Sequence, residues 1–286
     1  MKMTILETKN LCYSYDGENN ALKDINVKIP KGKITAIMGG NGAGKSTFFL
    51  NLNGVLTPDS GEVFFHGKPV VYNKKGIREM RKHIGIVFQD PNDQLFSSSV
   101  RKDISFGAIN LGLPEEEVQR RVNEAIDRVG IKDLEYRPTH ALSYGQKKRV
   151  AIAGVLVMEP EVIILDEPTA GLDPAGVSEI MTILLEINKS MGVSIVIATH
   201  DIDIVPLYCN YGFVFHKGRI IIEGTPKEIF GKADILRKYS LRLPRITHLM
   251  EILKKKDFID VDESAATISE ARATIKKVLS ERSDDR

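Results

Sequence analysis

The residues of this 286-residue chain best suited to chemistry are those that could hold and cleave a phosphate ester. Gly39-Gly40-Asn41-Gly42-Ala43-Gly44-Lys45-Ser46-Thr47 fits G-x-x-x-x-G-K-[ST]. Glycines let such a backbone curl until successive N–H groups point at phosphate oxygens, and a helix N-terminus adds partial positive charge. Lys45 can then reach the β- and γ-phosphates, while the Ser46 hydroxyl suits a Mg²⁺ ligand. Asp166 and Glu167 close the apolar run Val162-Ile163-Ile164-Leu165. Asp166 fits a Mg²⁺-associated carboxylate and Glu167 a base that activates water. His200 follows the next apolar run, where its ring can reach a γ-phosphate. The other five histidines have no supporting context. A Gly-rich turn before any helix would share part of the first pattern, and its flanks separate the two readings.

Those flanks supply the positioning elements. Lys33–Met38 reads as a short buried strand, and Phe48–Asn53 continues as a helix that Gly54 can cap. The run ending at Asp166 has the unbroken apolar character of a parallel strand buried on both faces, as does Val193–Thr199. Acids at the C-terminal end of such a strand sit where open α/β sheets bind ligands. Upstream, Tyr13 and Tyr15 alternate with polar residues before the Asp16-Gly17 turn, and Val27, Ile29 and Ile34 keep β-like spacing. The Tyr15 ring could stack on a base, or it could be a half-buried strand tyrosine. Gly61–Gly67 and Ile84–Gln89 read as further strands. Phe213-Val214-Phe215, a turn at Lys217-Gly218, and Ile220-Ile221-Ile222 form a closing hairpin.

Residues from about 90 to 158 read as helical. Pro114 and three glutamates open a helix whose stripe is Val118, Val122, Ala125, Ile126 and Val129, with Gly130 as its stop. Ser143-x-x-Gln146 has capping-box spacing at the start of another helix. Lys147, Lys148 and Arg149 just inside it oppose the helix dipole, so they read either as an anion site or as solvated charge. Helical spacing returns in the tail at Ile246, Leu249, Met250 and Leu253, and again at Ile268, Ala271, Ile275 and Val278. Lys254–Lys256 and Arg282–Arg286 read as solvated.

Composition narrows the class. The net charge of +2 offers no electrostatic case for nucleic acid. Two cysteines, Cys12 and Cys209, are too few for a disulfide framework and fit a reducing compartment. No run approaches the ~18 apolar residues of a bilayer span, and Met1–Glu7 lacks a signal-peptide core.

Together these motifs, over about residues 3 to 235, resemble the ATP-binding subunits of ABC transporters. The resemblance makes Gly39–Thr47 the Walker A loop, Gln89 the Q-loop glutamine and a Mg²⁺ contact, and Leu142-Ser143-Tyr144-Gly145-Gln146 the signature. Asp166-Glu167 closes Walker B, Gly171-Leu172-Asp173 is the D-loop, His200 the switch histidine, and Tyr15 the adenine-stacking aromatic. Tyr144 departs from the family's glycine, while Ser143 and Gly145 are intact. The implied fold is α/β, a P-loop NTPase with a mixed sheet, an N-terminal antiparallel β region and a helical signature subdomain. The ATPase domain spans 3–238, and a small helical extension over 239–286 is a candidate dimerisation element.

Phe88-Gln89-Asp90-Pro91-Asn92-Asp93-Gln94-Leu95-Phe96 and Leu243–Met250 are more particularly similar to energy-coupling-factor importers of the cobalt/nickel subfamily; vitamin importers share the ATPase design. The implied activity is ATP hydrolysis, with ATP and Mg²⁺ as cofactors. Implied catalytic residues are Lys45, Gln89, Glu167 and His200, with Ser143, Gly145 and Gln146 reaching the ATP of a partner protomer. Implied partners are a second copy or a second ABC ATPase, and integral energy-coupling and substrate-binding subunits. The implied place is the cytoplasmic face of the membrane. DNA-maintenance ABC ATPases carry long coiled-coil insertions for which the segment between Gln89 and Leu142 has no room. A P-loop kinase would leave the signature unexplained.

Overall fold

Two of the central strands are apolar on both sides because both sides are covered. The computed structural model describes residues 3–284; the readings of Met1, Lys2, Asp285 and Arg286 fall outside these. The chain runs through β1 (Thr4–Ser14), β2 (Asn20–Pro30), β3 (Ile34–Met38), α1 (Lys45–Leu52), β4 (Ser60–Phe65), β5 (Lys68–Pro69), α2 (Lys74–His83) and β6 (Ile84–Val87). It continues as α3 (Val100–Asn110), α4 (Glu115–Arg128), α5 (Tyr144–Leu156), β7 (Val162–Asp166), α6 (Pro174–Met191), β8 (Ser194–Thr199) and α7 (Val205–Tyr208). Then come β9 (Tyr211–His216), β10 (Arg219–Gly224), α8 (Pro226–Phe230), α9 (Ala233–Lys238), α10 (Arg245–Lys255) and α11 (Ile268–Asp284).

A six-stranded sheet has the order β10-β9-β3-β8-β7-β6, parallel except at β10. A four-stranded antiparallel sheet, β2-β1-β4-β5, lies beside it. The strand period of two sends Val162 and Ile164 into one core and Ile163 and Leu165 into the other. The first core holds α1 between the sheets, with Phe48, Phe49 and Leu52 fully buried. The second lies under α3–α6, where the expected stripe Val118, Val122, Ala125, Ile126 and Val129 is buried. Gly54 follows α1 with φ +68°, the left-handed conformation that stops a helix. The fold is the mixed-sheet α/β P-loop arrangement with an antiparallel region and a helical subdomain.

One expectation needs adjusting, and one element and one packing are added to the sequence reading. The strand expected over Ile84–Gln89 stops at Val87, leaving Gln89 in the loop beyond it. The helix α2 has no counterpart in the sequence reading; its side chains are mostly charged, and it is held by the Asn73 cap and by buried Met80. Tail residues Ile246, Met250, Leu253, Ala271, Ile275 and Val278, expected as two apolar faces, pack on one another around Val261 and Ala265. Only part of the apolar pattern is left outward, at Leu249 and Ile268.

The tail is fastened by Glu251 of α10, which accepts hydrogen bonds from Arg237 at 2.8 Å and from Lys255 at 3.0 Å. Arg237 chiefly, and Lys255 with it, hold the Glu251 carboxyl at about 2 against the opposing effect of burial. A folded value below the ordinary 4.5 means the contribution is complete above that pH and fades as pH falls toward 2. Replacing Glu251 with Gln is expected to lower the local stability of α10 by about 1–2 kcal/mol, with solvent around Arg237 limiting the effect. Hydrogen exchange of the α10 amides at pH 5.5 and 3.5 checks this: the wild type should loosen on acidification, the variant hardly at all.

Candidate ATP site

The loop between β3 and α1 encloses Lys45 in its own backbone. Lys45 Nζ donates to Gly39 O at 2.8 Å and Gly40 O at 3.3 Å, and lies 3.6 Å from Glu167 Oε1. The side chain is buried, so these contacts hold the ammonium at the base of the loop. Gly44 adopts φ +103°, and a Cβ there would meet Ala21 O at 2.8 Å, so only glycine fits between the loop and β2. Tyr15 lies past the end of β1 and is 65% exposed, which removes the half-buried strand reading. Its hydroxyl is 3.1 Å from Thr47 Oγ1, and its ring meets Tyr13 edge-on at 5.0 Å. The exposed ring thus stands beside the phosphate loop.

Across from this loop, β7 and β8 deliver the acidic and imidazole groups. Glu167 sits just beyond β7 with φ +48°, a left-handed conformation uncommon for a side-chain-bearing residue. Its N–H donates to Ala198 O at 3.1 Å. Its Oε2 lies 2.7 Å from His200 Nδ1 and accepts the His200 backbone N–H at 3.3 Å. The carboxylate can only accept, so Nδ1 carries the shared hydrogen. Asn41, Gly42, Ala43, Gly44, Lys45, Ser46, Thr47, Gln89, Asp166, Glu167 and His200 line one cleft of about 630 Å³.

Ser46, Gln89 and Asp166 bring hydroxyl, amide and carboxylate oxygens to that cleft, the hard donor set that Mg²⁺ prefers. Among the described residues no three His, Cys, Asp or Glu side chains gather into a metal cage. A Mg²⁺ site here would therefore share its coordination with phosphate oxygens and water, the usual division for this ion.

Ser143, Gly145, Gln146 and Asp173 are not in that cleft. They line a second hollow of about 650 Å³ with Tyr144, Gly171, Leu172 and Gly176. The capping box forms as the spacing predicts: the Ser143 N–H donates to Gln146 Oε1 at 2.9 Å, and Gln146 N–H to Ser143 Oγ at 3.3 Å. Asp173 caps α6, its Oδ1 accepting Gly176 N–H at 2.7 Å.

Lys147, Lys148 and Arg149, read as an anion site or as solvated charge, each have protein partners, and Arg149 lines the second hollow. Lys147 Nζ donates to Asn92 Oδ1 at 2.8 Å, and Arg149 to Gly130 O and Glu179 Oε1. Lys148 is fully buried. Its signal lay in the sequence: Lys148, Ala151, Ile152 and Val155 share one helical stripe, with the cation on the apolar face.

The model of the ABC transporter family matches residues 22–170. This chain is a member of that family. It is 59% identical over 275 residues to the energy-coupling factor transporter ATP-binding protein EcfA2 of Clostridium perfringens, covering 96% of both chains. It is 53% identical over 280 residues to EcfA of Methanocaldococcus jannaschii, covering 98% of this chain and 100% of that one. Among solved structures, cbiO1 from Clostridium perfringens, described as part of the ABC transporter complex cbiONQ, superposes with a TM-score of 0.77 at 60% identity; it covers 87% of this chain and 99% of its own. The dimeric ATP-binding cassette MJ0796 bound to ADP and Pi gives 0.70 at 27% identity, over 77% of this chain and 98% of that chain.

The ABC ATPase is thus an ATP-hydrolysing, ATP-binding subunit of an energy-coupling-factor transporter. Among its described residues no helix is long and apolar enough to cross a membrane.

Proposed function

We propose that this ABC ATPase drives a cobalt or nickel importer by closing on ATP with a second copy, or with a second ABC ATPase. The observation that carries the closure is the division of the site residues between two hollows. The cleft around Lys45 has no signature residue, and the hollow around Ser143 has no phosphate loop. A helix start favours an anion. A triphosphate held in the Lys45 cleft of a facing protomer would give such a start its anion.

On this reading Tyr15 stacks the adenine, and Gly39 to Thr47 cradle the phosphates. Ser46, Gln89 and Asp166 would hold Mg²⁺, which supplies neutralising charge to the phosphate oxygens when bound. Glu167 takes a proton from the attacking water, and His200, hydrogen-bonded to it, orients that carboxylate toward the γ-phosphate. Asp173 lines the seam, and the extension over 239–286 adds to the dimer contact.

Closure reaches the membrane through the segment after Gln89. Phe88, Gln94, Leu95, Phe96 and Phe106 line a groove of about 370 Å³, with the Phe96 and Phe106 rings edge-on at 4.8 Å. Asp103 holds the loop in place, accepting the Phe96 N–H at 3.0 Å and the Ser97 N–H at 2.6 Å. Two exposed aromatic rings in a fixed groove suit a cytoplasmic helix of an integral energy-coupling subunit, whose substrate-binding companion selects the cargo. The assembly then lies on the cytoplasmic face of the membrane, with no role for nucleic acid.

The metal reading rests on the cobalt-type character of Phe88–Phe96 and Leu243–Met250 and on the likeness to cbiO1. Co-purification with the neighbouring membrane subunits, reconstitution in vesicles and ATP-driven uptake of labelled cobalt test it. Uptake competed by nickel is expected. Vitamin uptake by the same vesicles would replace the metal reading, and DNA-stimulated ATPase without a membrane partner would overturn the transport role.

A further inference from the structure

The buried ammonium of Lys148, carried by the helix that begins at the second hollow, bonds to two segments of the Lys45 cleft. Its Nζ donates to Gln89 O at 2.7 Å and to Glu167 O at 3.1 Å. Tyr144, one turn earlier on α5, donates its hydroxyl to the same Gln89 oxygen at 3.3 Å. The Tyr144 ring stands 5.5 Å from Lys148 Nζ and packs on the D-loop, where a Cβ added to Gly171 would come within 3.1 Å of the ring. Lysines are rarely buried to this degree, and an apolar side chain of equal size would fill the space without desolvating a charge. It would also leave both carbonyls without this donor. What the ammonium adds is a bond between chain segments.

We propose, resting on the shared-ATP reading above, that Lys148 with Tyr144 is a positioning clasp tying the helix that faces the partner's nucleotide to the backbone of Gln89 and Glu167, whose side chains face the protomer's own. Gln89 follows β6 and Glu167 follows β7, adjacent parallel strands, so one ammonium on α5 can span both. A displacement of either carbonyl is passed to Nζ and so to the first turn of α5, where Ser143 and Gly145 lie. The backbone oxygens are the ones clasped, leaving both side chains free for the cleft. Tyr144, where the family has glycine, gives the clasp its second hold on the Q-loop.

The test compares Lys148→Met, Lys148→Arg and Tyr144→Phe in the full chain, by hydrogen exchange and by ATPase kinetics. In Lys148→Met, exchange at the amides of residues 89, 90, 92–94, 167 and 169 is expected to rise about tenfold or more, with α6 amides unchanged. Its kcat should fall about tenfold, while KM for ATP stays within about twofold because the Lys45 cradle is untouched. Lys148→Arg, still a donor to two carbonyls, should recover most of both. Tyr144→Phe removes only the bond to the Gln89 oxygen and should raise exchange at 89–94 alone, by about threefold to tenfold. It keeps the clasp testable if Lys148→Met does not fold. Unchanged exchange in these segments, in whichever variants fold, overturns the clasp. Exchange is read without nucleotide, so that result stands apart from a failure of the wild-type protein to pair with ATP, which would instead remove the shared-site reading.

Discussion

Glu167→Gln is expected to lower kcat by about 10²- to 10⁴-fold, the range general-base removal spans, while ATP affinity stays within about twofold. The geometry sets this asymmetry. Glu167 is 6% exposed, and its carboxylate faces Lys45 from 3.6 Å and lies 2.7 Å from His200 Nδ1. Glutamine keeps the volume and one oxygen, so the loop that binds phosphate is undisturbed. It loses the site that takes up a proton and one of the two acceptors now facing Lys45 and His200. The backbone is held independently of the side chain, through Ala198 O, Lys148 and the left-handed φ, so the variant should fold as the wild type does. With hydrolysis blocked, ATP should hold two protomers together, and the dimer should persist through gel filtration where the wild-type dimer does not. Stopped-flow phosphate release and light scattering read the two quantities. Turnover near the wild-type rate would remove Glu167 as the base.

Much of this arrangement could be read from the chain because local chemistry and global fold agree there. The strands ending at Asp166 and Thr199 announce themselves because burial on both faces leaves no polar alternation to confuse the period. The capping box at Ser143 forms as its spacing predicts because its bonds are all within one turn. Elements fixed by distant contacts were less legible. Over Lys74–His83 only Ile77 and Met80 are apolar, and the helix is held by packing against residues after α1. The left-handed φ of Glu167 has no signature, since Pro168 marks a turn without stating its hand. Lys148 illustrates a third case. Its charge reads as surface, and only its place on the stripe of Ala151, Ile152 and Val155 marks it as buried. The residues of the proposed site are legible from motif; those that connect its segments need the fold.

Ser143→Asp separates the two hollows as a matter of chemistry. Aspartate is as good an N-cap as serine, and a carboxylate is favoured at a helix start, so α5 should begin as before. Folding stability is expected to stay within about 0.5 kcal/mol of wild type, and ATP binding to the protomer's own Lys45 loop should be unchanged. Toward a partner's triphosphate the new charge has the opposite effect. Like charges brought together in a closing interface cost several kcal/mol, so ATP-driven association should weaken by on the order of 10²- to 10³-fold, and turnover with it. Lys45→Ala should also fail alone, for the other reason: it cannot hold its own nucleotide. Mixed together, the two variants can build one complete site, with ATP held by the Ser143→Asp protomer and capped by the intact Ser143 of the Lys45→Ala protomer. ATP-dependent association should therefore return in the mixture and be absent from either variant by itself. If Ser143→Asp alone associates with ATP as the wild type does, then Ser143 faces no phosphate and the triphosphate is not shared.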